Sequence, residues 1–277
     1  MRGVGAALAL VAGVGLAAAE PRYRAVRLER RETWTGLAQE LGPERTLLVL
    51  KVNRIDRAHV RLGATLVVPE ALDDPLALSP FPRAVAEIAE VPKLLLVARR
   101  VQAFAAYEQG RLVRWGPIST GKQATPTPTG LFHTNWRVRE KVSTEDPEWL
   151  LRWYFNIHNT RGVSFHQFEM PGYPASHSCL RLHEDDARWL FDWGVSWIVS
   201  PDGRTIEAHG TPVVIFGDYA YGGEAPWKRL AADPEATAVP PAELAPALAE
   251  HLPAILARQK GREELLAARA NGARPAP

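Results

Sequence analysis

The only cysteine of this 277-residue chain, Cys179, stands in the run Ser176-His177-Ser178-Cys179-Leu180-Arg181. A thiol attacks as its thiolate, so it needs a base to take its proton and N–H donors to hold the oxyanion that forms. His166, thirteen positions upstream at the end of a strand-like run, is the candidate base. Pro171, Gly172 and Pro174 lie between the two and let the chain double back. The amides of Ser178 and Cys179, in a tight turn shortly before a helix expected from Glu184, are the candidate oxyanion donors. Arg181 is placed to sit beside the thiolate or to take a substrate carboxylate in its planar fork. Gln167, a backbone carbonyl and Ser176 are the candidates to orient His166. His177 either bonds the substrate or braces the turn. By itself a lone cysteine is more often a small buried hydrophobe. One thiol and scattered histidines (His133, His158, His183, His209) provide no zinc ligand set, so neither a metal nor a cofactor is expected.

Placing these groups requires a strand, a turn and a helix in the right order. "GVSFHQF", "LFHTNWRV" and "GTPVVIF" read as strands, and "KLLLVARRVQAFAAYEQGRLVRWGPISTG" reads as two strands meeting near Gln109-Gly110. Ala187, Leu190 and Phe191 share a face of a helix from Glu184 to about Trp193. This β-rich unit opens at Val91 and closes near residue 217. Ahead of it, Tyr23 to Leu28 alternates as a strand, and Thr33 is placed to cap a helix bearing Trp34, Leu37, Ala38 and Leu41. A second helix ends near Asn53, and "ATLVVP" forms a strand stopped by Pro69. That βααβ pattern spans 22–70. Residues 71–90, with Pro75, Pro80 and Pro82, read as a linker. Residues 218–277 read as a helix-prone, surface-packed or mobile tail interrupted by Pro246 and Pro253. The fold class is therefore mainly β, with a small βααβ unit in front and a helical tail behind.

Hydrophobic residues make up 46% and charged residues 23%, as in ordinary globular chains. A net charge of +2 gives no general drive toward nucleic acid, and no nucleic-acid partner is expected. The start has one early positive charge at Arg2, an apolar run from Val4 to Leu16 and small residues at Ala17 and Ala19, the layout of a secretory signal peptide over 1–19. An exported protein is expected.

The segment "HQFEMPGYPASHSCLRL" resembles the signature of the L,D-transpeptidases, the YkuD-type catalytic domain, in which a strand-borne His precedes [Ser/Thr]-His-Gly-Cys-x-[Arg/Asn]. His166, Ser176-His177, Cys179 and Arg181 match it, and Ser178 replaces the family's Gly. The likeness continues through "ISTGK" (118–122), "TPTG" (127–130), "DDA" (185–187) and "GTPVVI" (210–215), most of residues 91–217. The resemblance implies that Cys179 attacks the L-to-D peptide bond of a peptidoglycan tetrapeptide stem and releases D-alanine. An amine would then resolve the thioester: another stem, a lysine of an envelope protein, or a free D-amino acid. It also implies a flap whose Trp136, Trp153 and Tyr154 grip the stem. Residues 22–70 are similar to the lysin motif (LysM), which implies peptidoglycan glycan as a partner and the periplasm or cell envelope as location. The competing readings are an L,D-carboxypeptidase or hydrolase of the same bonds, and a wall-binding protein whose oxyanion turn Ser178 has disabled.

Overall fold

The computed structural model describes residues 22–70 and 73–272; the signal peptide expected over 1–19 lies outside them. Three elements form the N-terminal unit: β1 (Tyr23–Arg27), α1 (Arg31–Val52) and β2 (Thr65–Pro69), with β1 and β2 antiparallel. The two helices read from the sequence are the halves of α1, which bends at Gly42 (φ 74°) and restarts with Pro43. Proline is tolerated there because the first position of a helix has no use for its N–H. Arg30, not Thr33, occupies the N-cap position, and the Thr33 amide donates to the Arg30 carbonyl.

The β-rich unit follows as β3 (Leu94–Ala98), β4 (Ala103–Glu108), β5 (Arg111–Pro117), β6 (Gly130–His133), β7 (Arg137–Val142), β8 (Leu150–His158), β9 (Val163–Gln167) and β10 (Leu180–Leu182). Then come α2 (Glu184–Trp193), β11 (Ile198–Val199), β12 (Ile206–Ala208) and β13 (Pro212–Phe216), with α3 (Pro241–Ala270) last. The stretch read as two strands around Gln109-Gly110 contains three, because β3 precedes that hairpin. One sheet has the order β5-β4-β3-β13-β6 and the other β10-β9-β8-β7. Their inner faces meet: Leu95, Val97, Phe104, Val213 and Ile215 pack against Phe155, Val163, Phe165, Leu180 and Leu182, with Leu190 of α2 joining them.

The outer face of the five-stranded sheet is also covered. Leu94, Leu96, Tyr107, Val214 and Phe216 pack with Leu244, Leu248 and Ile255 of α3 and with Phe81, Val85 and Ile88. Two buried faces explain why β3 is apolar at every position instead of alternating. Of the two readings of the tail, surface-packed or mobile, α3 takes the packed one as a wall of the sheet, and each of its fully buried aliphatic side chains stabilises by about 1.5–3 kcal/mol. The expectation of a linker over 71–90 is corrected: this stretch is packed as well, the Val85 amide donating to the Gly110 carbonyl (2.8 Å) and the Leu112 amide to the Arg83 carbonyl (2.9 Å).

The N-terminal unit is locked to the rest by buried charge. Lys51 donates to Asp185 (2.7 Å) and Asp186 (2.8 Å), and Arg114 reaches both carboxylates. Arg54, almost wholly buried, gives its guanidinium to the carbonyls of Lys51, Val52 and Val101 and lies between Trp115 and Trp227. A buried cation is tolerable only when donors and ring faces replace lost water in this way.

Candidate active site

Sequence alternation places the site. On β9, Val163 and Phe165 point into the core, so Ser164 and His166 face the other way; on β10, Leu180 and Leu182 are core, so Arg181 faces outward. The two strands are parallel with Arg181 opposite His166, which brings residues far apart in the chain onto one rung. Cys179, one residue before β10, continues that register beside Ser164, whose Oγ lies 3.4 Å from Sγ. Ser164, His166, Cys179 and Arg181 therefore share the outer face of the four-stranded sheet; His166, Cys179 and Arg181 line a cavity of about 300 Å³, and the buried Ser164 touches the thiol.

His166 is buried, with its Nδ1 3.1 Å from the Gln167 carbonyl, so the backbone carbonyl among the three candidates is its orienter. That bond fixes the proton on Nδ1 and leaves Nε2 as the free base. Burial pushes the imidazole down to about 4, against the Gln167 bond and with help from the Arg181 charge. Burial likewise pushes the Cys179 thiol up, while Ser164 and Arg181 pull it back only in part. Both shifts favour thiol plus neutral imidazole, so the resting pair is uncharged and the thiolate must form during attack. The sign follows: a base depressed to about 4 is already unprotonated at pH 5, so the acid limb of kcat/KM is expected near pH 4 and not near 6.5. A profile of acylation rate from pH 3.5 to 9 checks this; a midpoint above 6 contradicts it.

The turn before Cys179 is tied from several sides. Ser176 Oγ donates to the Cys179 carbonyl (2.6 Å), Thr127 Oγ1 donates to the Ser178 carbonyl (2.8 Å), and Ser178 Oγ donates to the Thr125 carbonyl (3.2 Å). Ser178 has φ 86°, so the position that is glycine in the resembled signature does require the left-handed region here. Such a residue with a Cβ costs about 1–2 kcal/mol, and the Thr125 bond offsets part of that. Ser178→Ala keeps the strain and loses the bond; Ser178→Gly loses the bond and the strain. The glycine variant is therefore expected to be the more stable of the two by about 1–2 kcal/mol in urea unfolding, and equal midpoints contradict it.

His177 is held by Lys122, whose Nζ lies 2.8 Å from Nε2, which leaves the ring proton on Nδ1. Arg181 lies over the Phe168 ring at 4.6 Å and near Trp149 at 6.0 Å. Trp136 and Tyr154 stack at 5.1 Å and line the cavity. Trp153 does not: it packs edge-on against Phe191 of α2 at 5.6 Å with Arg139 and Arg188 over its faces, on the core side of β8. A helix N-terminus does not serve the Cys179 amides either, because β10 separates them from α2. Ser164, Lys122, Thr127 and Phe168 were not singled out from the sequence as site residues. Period-two alternation from His166 points to Ser164, Lys122 closes the quoted "ISTGK" and Thr127 opens the quoted "TPTG"; no motif position points to Phe168. Among the described residues no group of three or more His, Cys, Asp or Glu could hold a metal ion.

Residues 92–215 match the family model of the YkuD L,D-transpeptidase catalytic domain. This matched segment contains Cys179, His166, Arg181 and the other residues that line the cavity. L,D-transpeptidase 1 of Mycobacterium tuberculosis is 31% identical over 104 residues, covering 32% of this chain and 41% of that protein. The chain thus spans about two fifths of the length of the curated relatives it matches. Similar solved structures include an L,D-transpeptidase from Mycobacterium smegmatis (22% identity, 46% of this chain and 59% of that one, TM-score 0.36). Another is the L,D-transpeptidase from Stackebrandtia nassauensis (19% identity, 46% and 57%, TM-score 0.37).

Proposed function

We propose that the protein is a peptidoglycan L,D-transpeptidase with Cys179 as nucleophile and His166 as general base. The observation that carries the reading is the co-facial set of Cys179 beside Ser164 and Arg181 opposite His166, on successive same-face rungs of a parallel strand pair, inside the segment that matches the catalytic domain. Sγ attacks the carbonyl carbon between the L-centre of the third stem residue and the terminal D-alanine, and the S–H proton passes to Nε2 of His166. The Ser178 and Cys179 amides hold the oxyanion. As the C–N bond breaks, His166 returns the proton to the departing D-alanine amine and a thioester remains. An acceptor amine then gives a proton to His166 and forms the new amide, and Cys179 recovers its proton. Arg181 is the anchor for a stem carboxylate, and Trp136 and Tyr154 are the walls that exclude water from the thioester.

The βααβ unit is a LysM-like module that delivers the enzyme to glycan, and the leader over 1–19 sends it to the periplasm or cell envelope. No helix among the described residues is long and apolar enough to cross a membrane. Incubation with disaccharide-tetrapeptide, with products separated by chromatography, tests the reaction. D-alanine together with a muropeptide dimer supports transpeptidation, D-alanine with tripeptide alone supports the carboxypeptidase, and neither product from folded protein supports the wall-binding reading.

A further inference from the structure

We propose that the N-terminal unit holds the loop that carries the cysteine, with Asp56 as a positioning residue for Cys179. The span from His166 on β9 to Cys179 crosses over to a parallel strand, and Met170 to Gly172 lie on its first half. Asp56 takes both main-chain groups of Met170: its amide donates to the Met170 carbonyl (2.9 Å), and its Oδ2 accepts from the Met170 amide (2.8 Å). The other carboxylate oxygen is fixed from its own side, accepting from the His59 amide at 3.0 Å and lying 2.7 Å from His59 Nδ1. Ile55 bridges Pro171, and the Met170 side chain is fully buried. Gly172 adopts φ 87° with Ile55 Cγ2 where a Cβ would come within 2.9 Å, so the loop and the N-terminal unit fit without spare room.

The far end of the same loop is clamped by the β-rich unit. Ser119 Oγ donates to the Tyr173 carbonyl (2.8 Å) and accepts from the Ala175 amide (3.1 Å), and Ser176 bridges Gly121. Asp56 and its neighbour Ile55 thus hold the loop from outside the β-rich unit, and the Asp56 clamp sits between two parts of the cavity. Two residues before it is Phe168, on which Arg181 stacks; beyond it is the turn that ends in Cys179. Loss of the clamp leaves the Met170 amide without its acceptor and frees both parts to shift. A misplacement of about 1 Å is enough to cost about a hundredfold in rate. This role is separate from glycan binding, and it rests on the reading of Cys179 as the nucleophile.

The test uses the full chain. Hydrogen exchange by mass spectrometry and D-alanine release from disaccharide-tetrapeptide are compared for the parent, Asp56→Ala and Asp56→Asn. In Asp56→Ala, amides of 168–180 are expected to exchange at least about tenfold faster while those of 94–117 are unchanged, with kcat down about ten- to a hundredfold and KM within about twofold. Asp56→Asn, whose side-chain oxygen can still accept from Met170, is expected to recover kcat to within about threefold of the parent. If Asp56→Ala does not fold, Asp56→Glu, which moves the carboxylate by one methylene, is expected to show the same loop-confined change. Unchanged exchange at 168–180, or equal kcat loss in the alanine and asparagine variants, overturns the proposal. A parent that releases no D-alanine contradicts the reading of function instead, and the exchange comparison still decides whether Asp56 holds the loop.

Discussion

Cys179→Ala is expected to abolish D-alanine release, a loss of about a millionfold in kcat on the scale of nucleophile deletions in other covalent enzymes. No other thiol exists in the chain to replace it. Ser164 Oγ lies 3.4 Å from Sγ, but a hydroxyl that only contacts the thiol has no base of its own and does not substitute. The fold should survive, because the half-buried Cys179 side chain makes only two long polar contacts, to Ser164 and to the Gly162 carbonyl at 3.5 Å. Release of D-alanine and the midpoint of urea unfolding, measured on the same preparation, separate the two effects. Residual turnover above background in a folded variant contradicts the assignment.

His166→Gln is expected to lower kcat/KM by about a hundred- to ten-thousandfold, the usual weight of a positioned general base. Its effect should depend on pH in a particular direction. In the parent, the neutral imidazole takes the thiol proton over the whole range above about pH 4, so the rate is flat through neutrality. Without it the thiol must ionise unaided, and burial has pushed that ionisation upward. The variant's rate should therefore climb through pH 7 to 9 where the parent's does not. A parallel drop at every pH contradicts a base role and leaves only a packing role for His166.

The core of the site was legible because it depends on short-range rules. "GVSFHQF" reads as a strand that carries His166, as β9 does, and the helix from Glu184 to Trp193 followed from its apolar spacing. Ser178, where the resembled signature has Gly, adopts a positive φ of 86°. What escaped depends on partners distant in sequence. Strand β8 was hidden in a cluster of aromatic residues read as a flap. Once it is a strand, Trp153 shares the core side with Phe155 and Ile157 while Tyr154 and Asn156 face the cavity, so Trp153 and Tyr154 cannot both grip substrate. An irregularity between Arg152 and Phe155, with Trp153 at φ 54°, brings Leu151 to the cavity side as well.

The helix of the tail was legible, but its continuity and its packing partner were not. Pro246 and Pro253 suggested a broken helix, yet α3 runs through both, and its Leu244, Leu248 and Ile255 stripe has meaning only against the outer face of β3 and β13. Prolines in 71–90 misled in the same way, since Phe81, Val85 and Ile88 carry the packing between them. Asp56 illustrates the limit most clearly. Nothing near it in the sequence indicates that its carboxylate meets Met170, 114 positions away, on the loop of the only cysteine.

The most direct test of the central claim is intact-mass spectrometry of the protein quenched in acid during turnover of disaccharide-tetrapeptide, followed by proteolytic mapping. A covalent adduct with the mass of the muropeptide less D-alanine, located on the peptide containing Cys179 and lost on treatment with hydroxylamine, is the expected result. An adduct on another residue, or D-alanine release undiminished in Cys179→Ala with no adduct formed, would contradict thioester catalysis at this site.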